Sequence, residues 1–467
     1  MPRNSLESLL QSAANPVAML RNSQTGPNVY PVMKAEYTNW RDEQRAWQQS
    51  CVLFNQSYHM SDLYVKGPDA FRFLNSLGIN SFNNFSVDKA KQYVCCNYDG
   101  YVIGDVILFY LEENLFSLVG RPPLLNWVQF HAENSAYDIE LEWDHRAADQ
   151  KNGLSRKYYR YQIQGPNAMK VIEKVTGQPA PALKFFNMTR ITIAGNSVRA
   201  LRHGMAGQPG FELFGPYAEH DVIMQALISA GDEFGLHLVG GRAYSSNTLE
   251  SGWIPSPMPA VYSGEKMKAF REWLPANGFE AVASLGGSFV SENIEDYYLT
   301  PYELGYGFFV KFDHEFIGRE ALEQLAQQPQ RRKVTLALNP DDVINTIASM
   351  YYKDEERAKF IDYPSAVYAM YPYDKVMVDD KLIGLSTWVG YSSNERSMLT
   401  LAMVDEQYAE PGTQVSFVWG EENGGTAKPT VESHKQVTIR ATVSPVPYAE
   451  VARTQYVKGN WRNQNQK

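Results

Sequence analysis

Between Val239 and Pro257 the chain reads Val-Gly-Gly-Arg-Ala-Tyr-Ser-Ser-Asn-Thr-Leu-Glu-Ser-Gly-Trp-Ile-Pro-Ser-Pro. A cation (Arg242), a phenol (Tyr244), an anion (Glu250) and an indole (Trp253) fall within a dozen residues. Such tips can donate protons, accept hydrogen bonds and lie against a flat ring. Gly240-Gly241 permits a tight bend ahead of them, and Pro255, Pro257 and Pro259 follow. The plainer reading is a helix end and a surface loop, where polar residues commonly gather beside Gly and Pro.

Other common chemistries are not announced. The eight histidines are scattered, with no two within five positions, and there is no Cys-x-x-Cys, so no local metal site is expected. There is no Gly-Lys-Ser/Thr phosphate loop and no Gly-x-Ser-x-Gly elbow. Gly305-Tyr306-Gly307 lacks a third glycine and opens no helix, which makes a dinucleotide fingerprint a poor reading.

The elements that must hold these tips are drawn from 467 residues, enough for about three domains, or two with one large. Hydrophobic residues make up 44%, ample for sizeable cores, and 29 tyrosines suit pockets with one wet end. The net charge of −9 and the lack of a basic block speak against nucleic acid as a partner. Cys51, Cys95 and Cys96 cannot form a disulfide framework, so a cytoplasmic protein with reduced thiols is expected. No signal pattern opens the chain, and the longest apolar run, Val106 to Leu111, is far too short to span a bilayer.

Asn4 and Glu7 read as a capping box for a helix over Ser5 to Ala14. A pattern then repeats. Leu63-Tyr64-Val65-Lys66-Gly67-Pro68 returns as Tyr161-Gln162-Ile163-Gln164-Gly165-Pro166 and, more loosely, as Phe211-Glu212-Leu213-Phe214-Gly215-Pro216. Each is an alternating strand, a glycine turn and a proline opening a helix. Val102 to Leu111 and Leu115 to Val119 form a hairpin. Asp144 to Arg156 reads as an exposed loop, and Leu304 to Phe312 as a strand. After the polar linker Gln327 to Arg332 come six short strands, at 333–338, 376–378, 383–390, 398–404, 414–419 and 436–443. The expected fold class is α+β: strand-turn-helix units over 1–330, a β-barrel over 331–455 and a disordered tail over 456–467.

Several ordered motifs resemble one family. Leu249-Glu250-Ser251-Gly252 is similar to the Leu-Glu-(Ala/Ser)-Gly segment of the folate-dependent aminomethyltransferases, the T-protein of glycine cleavage and its relatives. Gly100–Ile107 resembles their Gly-Gly-Ile-Ile-Asp-Asp-Leu-Ile, and Gly207–Leu213 their Gly-Glu-x-Gly-(Tyr/Phe)-Glu-Leu. Pro301–Gly307 and Phe316–Leu322 resemble two further motifs, and Gly390-Tyr391-Ser392-Ser393 fits the family's barrel. Two positions depart. Tyr244 stands where the aminomethyltransferases carry an arginine, and Gly104 replaces the first of two aspartates, leaving Asp105. Together with Trp419–Thr426, the run from Arg242 to Pro257 resembles one branch, the tetrahydrofolate-dependent aryl O-demethylases of lignin-aromatic catabolism.

That resemblance implies tetrahydrofolate as cofactor, no metal, and an aromatic small molecule as substrate: vanillate, 3-O-methylgallate or syringate. A methyl leaves an aryl ether oxygen, which becomes a phenolate. A donor on that oxygen stabilises the transition state, and a tyrosine of pKa about 10 nearly matches the phenol released. Tyr244, with Tyr30 as second candidate, would serve as proton donor. His59, Arg121 and Tyr30 would hold the substrate, and Glu212, Gln164 and Trp253 the folate. Each has a plainer reading. Tyr30 could merely pack on Pro31, His59 could be a loop histidine, Arg121 could cap the hairpin, and Asp105 and Glu250 could be structural. The rival functions are transfer from an aminomethyl or sulfonium donor, and folate binding without transfer.

Overall fold

The computed structural model describes residues 4–147, 156–255, 257–425 and 427–456. The expected tail beyond Lys458 and the middle of the 144–156 segment lie outside them.

The repeated strand-Gly-Pro-helix pattern folds as the same unit three times. Strand Ser61–Lys66 leads to helix Ala70–Leu77, Tyr158–Gln164 to Ala168–Thr176, and Gly210–Pro216 to His220–Gly231. In the first two, Gly67 and Gly165 take φ of +136° and +125°, which a side chain resists. A Cβ there would also strike the backbone of Asp138 or Cys51. The units belong to two sheets. One has six strands, in the order 236–238, 51–55, 158–164, 210–216, 196–202 and 188–193. The other has five, in the order 89–96, 102–112, 115–120, 61–66 and 140–144, and includes the expected hairpin. Tyr64, Phe109, Leu201 and Phe214 pack in one apolar cluster that draws on both sheets.

The C-terminal strands close a six-stranded barrel, ordered 332–338, 397–404, 381–392, 374–378, 414–419 and 437–444. Every pairing is antiparallel. Val376, Phe417, Trp419 and Ile439 belong to its interior, and Asp379 takes the left-handed conformation in the hairpin after Val378.

Three local expectations are corrected. The first helix spans Leu6–Ser12, with Ser5 rather than Asn4 as cap and Ser8 as reciprocal partner. Leu304 to Phe312 forms turns with a short 3-10 helix at Gly307–Phe309, because Gly305 at φ +74° interrupts the extended run. Asp144 and Arg156 are not exposed. Arg156 Nε lies 3.4 Å from Asp144, and both side chains are buried.

Residues 240–251 join the parts. Gly240 does not bend the chain, since its φ of −83° is ordinary. It permits close approach instead: a Cβ would strike the Ala35 carbonyl and Glu36. Gly241 N–H donates to Lys34 O at 2.8 Å and Arg242 N–H to Ala35 O at 3.1 Å. Arg242 pairs with Glu36 at 3.5 Å and is spent on this junction.

Glu250 is fully buried. It accepts from Trp47 Nε1 at 2.8 Å, Gln48 Nε2 at 3.0 Å, Ser392 Oγ at 2.6 Å and Asn394 Nδ2 at 3.0 Å. One carboxylate thus clamps helix Trp40–Gln49 to the barrel. Burial raises its pKa, while Ser392, Trp47 and Asn394 oppose the rise. Glu250→Ala should lower the unfolding free energy by roughly 2–4 kcal/mol, because buried donors lose their acceptor. Denaturant unfolding measures this, and a change under 1 kcal/mol would remove the clamp.

Candidate active site

Four segments deliver polar tips to one place. His59 lies in the turn after strand Cys51–Asn55, and Arg121 links strand Leu115–Gly120 to helix Pro122–Glu133. Tyr244 ends helix Gly241–Tyr244, and Tyr30 stands in the irregular segment 23–39. The rings of Tyr30, His59 and Tyr244 meet edge to face. Their centroids are 4.9 Å apart for Tyr30–Tyr244, 5.1 Å for His59–Tyr244 and 5.4 Å for Tyr30–His59. Phe54 packs 5.5 Å from Tyr244.

The Tyr244 hydroxyl has three neighbours. His59 Nε2 is at 2.9 Å, Gln56 Nε2 at 3.3 Å and Met205 Sδ at 3.6 Å. The Gln56 amide nitrogen can only donate, so the tyrosine accepts from it and its own proton faces the imidazole or the sulfur. The imidazole is the stronger acceptor. Burial, then the charges of Arg121, Arg146 and Arg156, push the His59 pKa down to about 3, so the ring is neutral at neutral pH and Nε2 can accept. Burial, then Tyr30, holds the Tyr244 pKa well above its usual value. Burial also raises Tyr30, against the pull of Arg121. Burial lowers the Arg121 pKa, while Tyr30, Tyr371 and Tyr244 act against this. Its Nη1 finds no hydrogen-bond partner among the described residues. The result is a desolvated cation among phenols.

A second group lies along strands 158–164 and 210–216. Glu212 pairs across the strands with Gln162, and Gly210 with Gln164. The Glu212 carboxylate forms a close ion pair with Arg160 and lies 3.5 Å from His203 Nδ1. Burial works to raise its pKa, but Arg160 and His203 outweigh it, and the net shift is downward. Arg160 also binds Asp62 at 2.9 Å, and Asp62 binds Arg156 at 2.6 Å. Gln164 Oε1 accepts from the N–H groups of Met205 and Ala206, at 2.8 and 3.2 Å. Among the described residues Gln164 Nε2 and Gln162 Oε1 are buried without partners.

Trp253 is in a third group. Its Nε1 donates to Asp105 Oδ2 at 3.2 Å, which also takes Gln92 Nε2 at 2.7 Å and Tyr306 OH at 3.5 Å. Burial raises the Asp105 pKa against these bonds and against Lys333, and burial lowers Lys333 to about 8. Gly104 packs against Leu124, where a Cβ would come within 3.3 Å of the Leu124 Cβ, so an aspartate would crowd the helix.

The structure therefore joins Tyr30, His59, Arg121 and Tyr244. Glu212 and Gln164 stand on an adjoining wall, and Trp253 stands with Asp105. Gln56, Met205 and Arg160 were missed from the sequence. Arg160, Gln162 and Gln164 did carry a signal, as polar residues at alternate positions of an otherwise apolar strand.

The candidate site lies where the sheets, the N-terminal segment and residues 240–251 converge, and its phenols, imidazole and cation suit a group transfer. Residues 12–256 match the family described as the GCVT N-terminal domain. The chain is 59% identical to a syringate O-demethylase of Sphingobium sp., over 98% of each protein. It is 32% identical to a sesamin methylene transferase of Sinomonas sp., over 84% of each. The crystal structure of glycine cleavage system aminomethyltransferase T from Bartonella henselae shares the fold. Its TM-score is 0.59 at 19% identity, over 90% of this chain and 92% of that one. The chain belongs to the aminomethyltransferase (GCVT) family. Among the described residues no helix is long and apolar enough to cross a membrane.

Protein NMR should find the His59 imidazole signals unmoved between pH 8 and pH 5. The unfolded chain takes up that proton near pH 6.5 and the folded chain only near 3. Stability from uncharged His59 is therefore complete above about pH 6.5 and lost as pH falls toward 3. A midpoint near 6.5 in the folded protein would mean that the ring is solvated.

Proposed function

We propose that this enzyme is a tetrahydrofolate-dependent aryl O-demethylase. It takes the methyl group of a methoxybenzoate such as vanillate, 3-O-methylgallate or syringate and releases the free phenol and 5-methyltetrahydrofolate. The observation that carries the reading is Tyr244, a buried phenol with its hydroxyl on neutral His59 and Arg121 as the nearby cation. An ether oxygen turning into a phenolate needs such a donor and such a charge. The 59% identity to a protein named as a syringate O-demethylase supports the same reaction class.

The second wall suits a pterin. Glu212 can accept from amide-like N–H groups, and the unpartnered Gln162 Oε1 and Gln164 Nε2 add one acceptor and one donor. Trp253, fixed by Asp105, offers a ring face. Tetrahydrofolate, when bound, supplies the N5 nucleophile that takes the methyl.

The residues of the chain do the rest. Arg121 balances the substrate carboxylate or the developing phenolate, and His59 Nε2 accepts from a ring hydroxyl once Tyr244 turns away from it. Tyr30 packs against both rings and covers them. The methyl–oxygen bond breaks with its electron pair on oxygen, Tyr244 turns its proton from His59 to that oxygen, and the tyrosinate is restored by the one proton that methylation of the secondary amine releases. Burial makes Tyr244 a weaker acid than free tyrosine, but the leaving phenol occupies the same dry pocket and is raised with it. The near match in acidity therefore persists.

Purified enzyme with tetrahydrofolate and a methoxybenzoate should yield 5-methyltetrahydrofolate and the phenol in equal amounts. Product from a sulfonium or aminomethyl donor alone would replace this reading with the rival transfer. Tyr244→Phe should lower kcat by about a hundred- to ten-thousand-fold and change KM far less. Substrates with more acidic phenols should recover part of the loss. Retention of most activity by Tyr244→Phe with a dead Tyr30→Phe would move the acid to Tyr30.

Glu212→Gln should weaken tetrahydrofolate binding by about 10- to 100-fold, since charged hydrogen bonds give way to weaker, partly mismatched ones. Affinity for the aromatic acid should change much less. Separate titrations decide it, and equal losses for both ligands would displace the pterin from this wall.

A further inference from the structure

A cavity of about 170 Å³ lies beyond the Arg160–Glu212 pair, between the two sheets. Arg160 lines it, and so does Tyr158 two residues earlier on the same face, whereas Gln162 and Gln164 lie on the opposite side of Arg160, toward residues 203–206. The volume falls below the usual 300–1,000 Å³ of ligand pockets, roughly, and suits one ring rather than a fused or two-ring ligand.

Its lining has three parts. Phe109, Phe214, Leu111 and Leu115 give apolar walls. Ser117 Oγ is buried with no hydrogen-bond partner among the described residues, and Ser117 lines the cavity. The Tyr64 and Tyr158 hydroxyls make no hydrogen bond among the described residues and border it too. Arg190, 54% exposed, stands at the solvent end.

Two of the three arginines there are closely paired with carboxylates and the third is not. Arg190 and Arg199 face each other directly across neighbouring strands, a like-charge pairing that costs stability. Burial, then Arg190, lowers the Arg199 pKa. Arg199 is held by Glu112 at 3.1 Å, Asp88 at 3.4 Å and the Leu111 carbonyl at 2.9 Å. Among the described residues, Arg190 has only a distant Glu112, at 3.9 Å. The Arg160 charge is taken by Asp62 and Glu212. Among the described residues, one arginine at the solvent end therefore lacks a close anion, beside a partly apolar cavity that Ser117, Tyr64 and Tyr158 also line.

We propose that this cavity is a second, non-transferring site for a single-ring aromatic carboxylate. The carboxylate pairs with Arg190, the ring packs against the joined wall of Phe109 and Phe214, whose own centroids are 5.3 Å apart, and a ring oxygen meets Ser117. The ligand class follows from the lining; its overlap with the class of the substrate rests on the proposed function. Because Arg160 borders this cavity and also holds Glu212, an occupant acts on the residue that sets the charge of the wall beside the active site.

The test is calorimetric titration of the full-length protein with 4-hydroxybenzoate, which has no methyl to transfer, in the absence of tetrahydrofolate. Two binding events per chain are expected. Arg190→Glu should weaken one at least tenfold, and Ser117→Ala should weaken the same one more mildly. Arg121→Met should remove the other. Turnover of Arg190→Glu at low methoxybenzoate should match the parent. A single event in the parent, or two events untouched by Arg190→Glu and Ser117→Ala, overturns the second site. Equal competition by acetate at the Arg190-dependent event overturns the ring as part of the ligand. Two-site binding without any demethylation sinks the proposed function and leaves this inference standing. Full turnover with one binding site does the reverse.

Discussion

Charges taken out of water must be paired, and the region around the site is built on one such set. Asp62 belongs to the five-stranded sheet, while Arg160 and Glu212 belong to the six-stranded sheet. Asp62 binds both Arg156 and Arg160, and Arg160 binds Glu212, all with little exposure. Removing one member of such a buried set costs about 3–5 kcal/mol, because a stranded charge remains. The Arg160 guanidinium also lies 5.0 Å from the Phe109 ring and 4.8 Å from Phe214, one ring from each sheet. Arg160 thus ties the two sheets together as a buried cation. His59 lies three residues before Asp62, so the site histidine hangs directly from this bridge.

The same lack of water shapes the chemistry. Burial depresses His59, raises Tyr244 and Tyr30, and leaves Arg121 as the charge that acts on all three. In water these groups would each bind solvent, and their mutual influence would be weak. Packed ring against ring, they form a set with one neutral acceptor, two protonated phenols and one cation. That set is complementary to an anion developing on an aromatic oxygen. On the proposed reading, an arginine at position 244 would add a second cation and remove the donor, and one substitution on a shared fold would redirect the group transferred.

The position of Tyr244 is fixed by residues packed around it in the fold. Gly240 lets the N-terminal segment approach, and Glu250 fixes helix Trp40–Gln49 to the barrel. Those two anchors bracket Tyr244 within eleven residues of chain. A polar stretch that looks like a set of reagents is thus divided: Tyr244 faces the site, while Arg242 and Glu250 hold it in place. Both are charged residues, and only their burial and partners distinguish clamp from reagent.

Much was legible from local pattern. The repeated Gly-Pro turns, the 102–119 hairpin and the six barrel strands all depend on backbone preferences and alternation, which act over a few residues. Motif order along the chain pointed to the family, and the contrast of Tyr244 with an arginine pointed to the branch. What stayed hidden depends on which residues meet across long separations. Leu304 to Phe312 alternates like a strand, but Gly305 and the packing of Tyr306 against the barrel overrode the pattern. Asp144 and Arg156 looked solvated because charge usually is, yet each supplied the partner that allowed the other to be buried. Gln56 and Met205 carry no signal of their own; they matter only because the fold sets them beside the Tyr244 hydroxyl. Residue types and their order along the chain determined the elements and the kind of chemistry available. Only the tertiary structure decided which groups lost water, and loss of water sets the charge and proton affinity on which that chemistry depends.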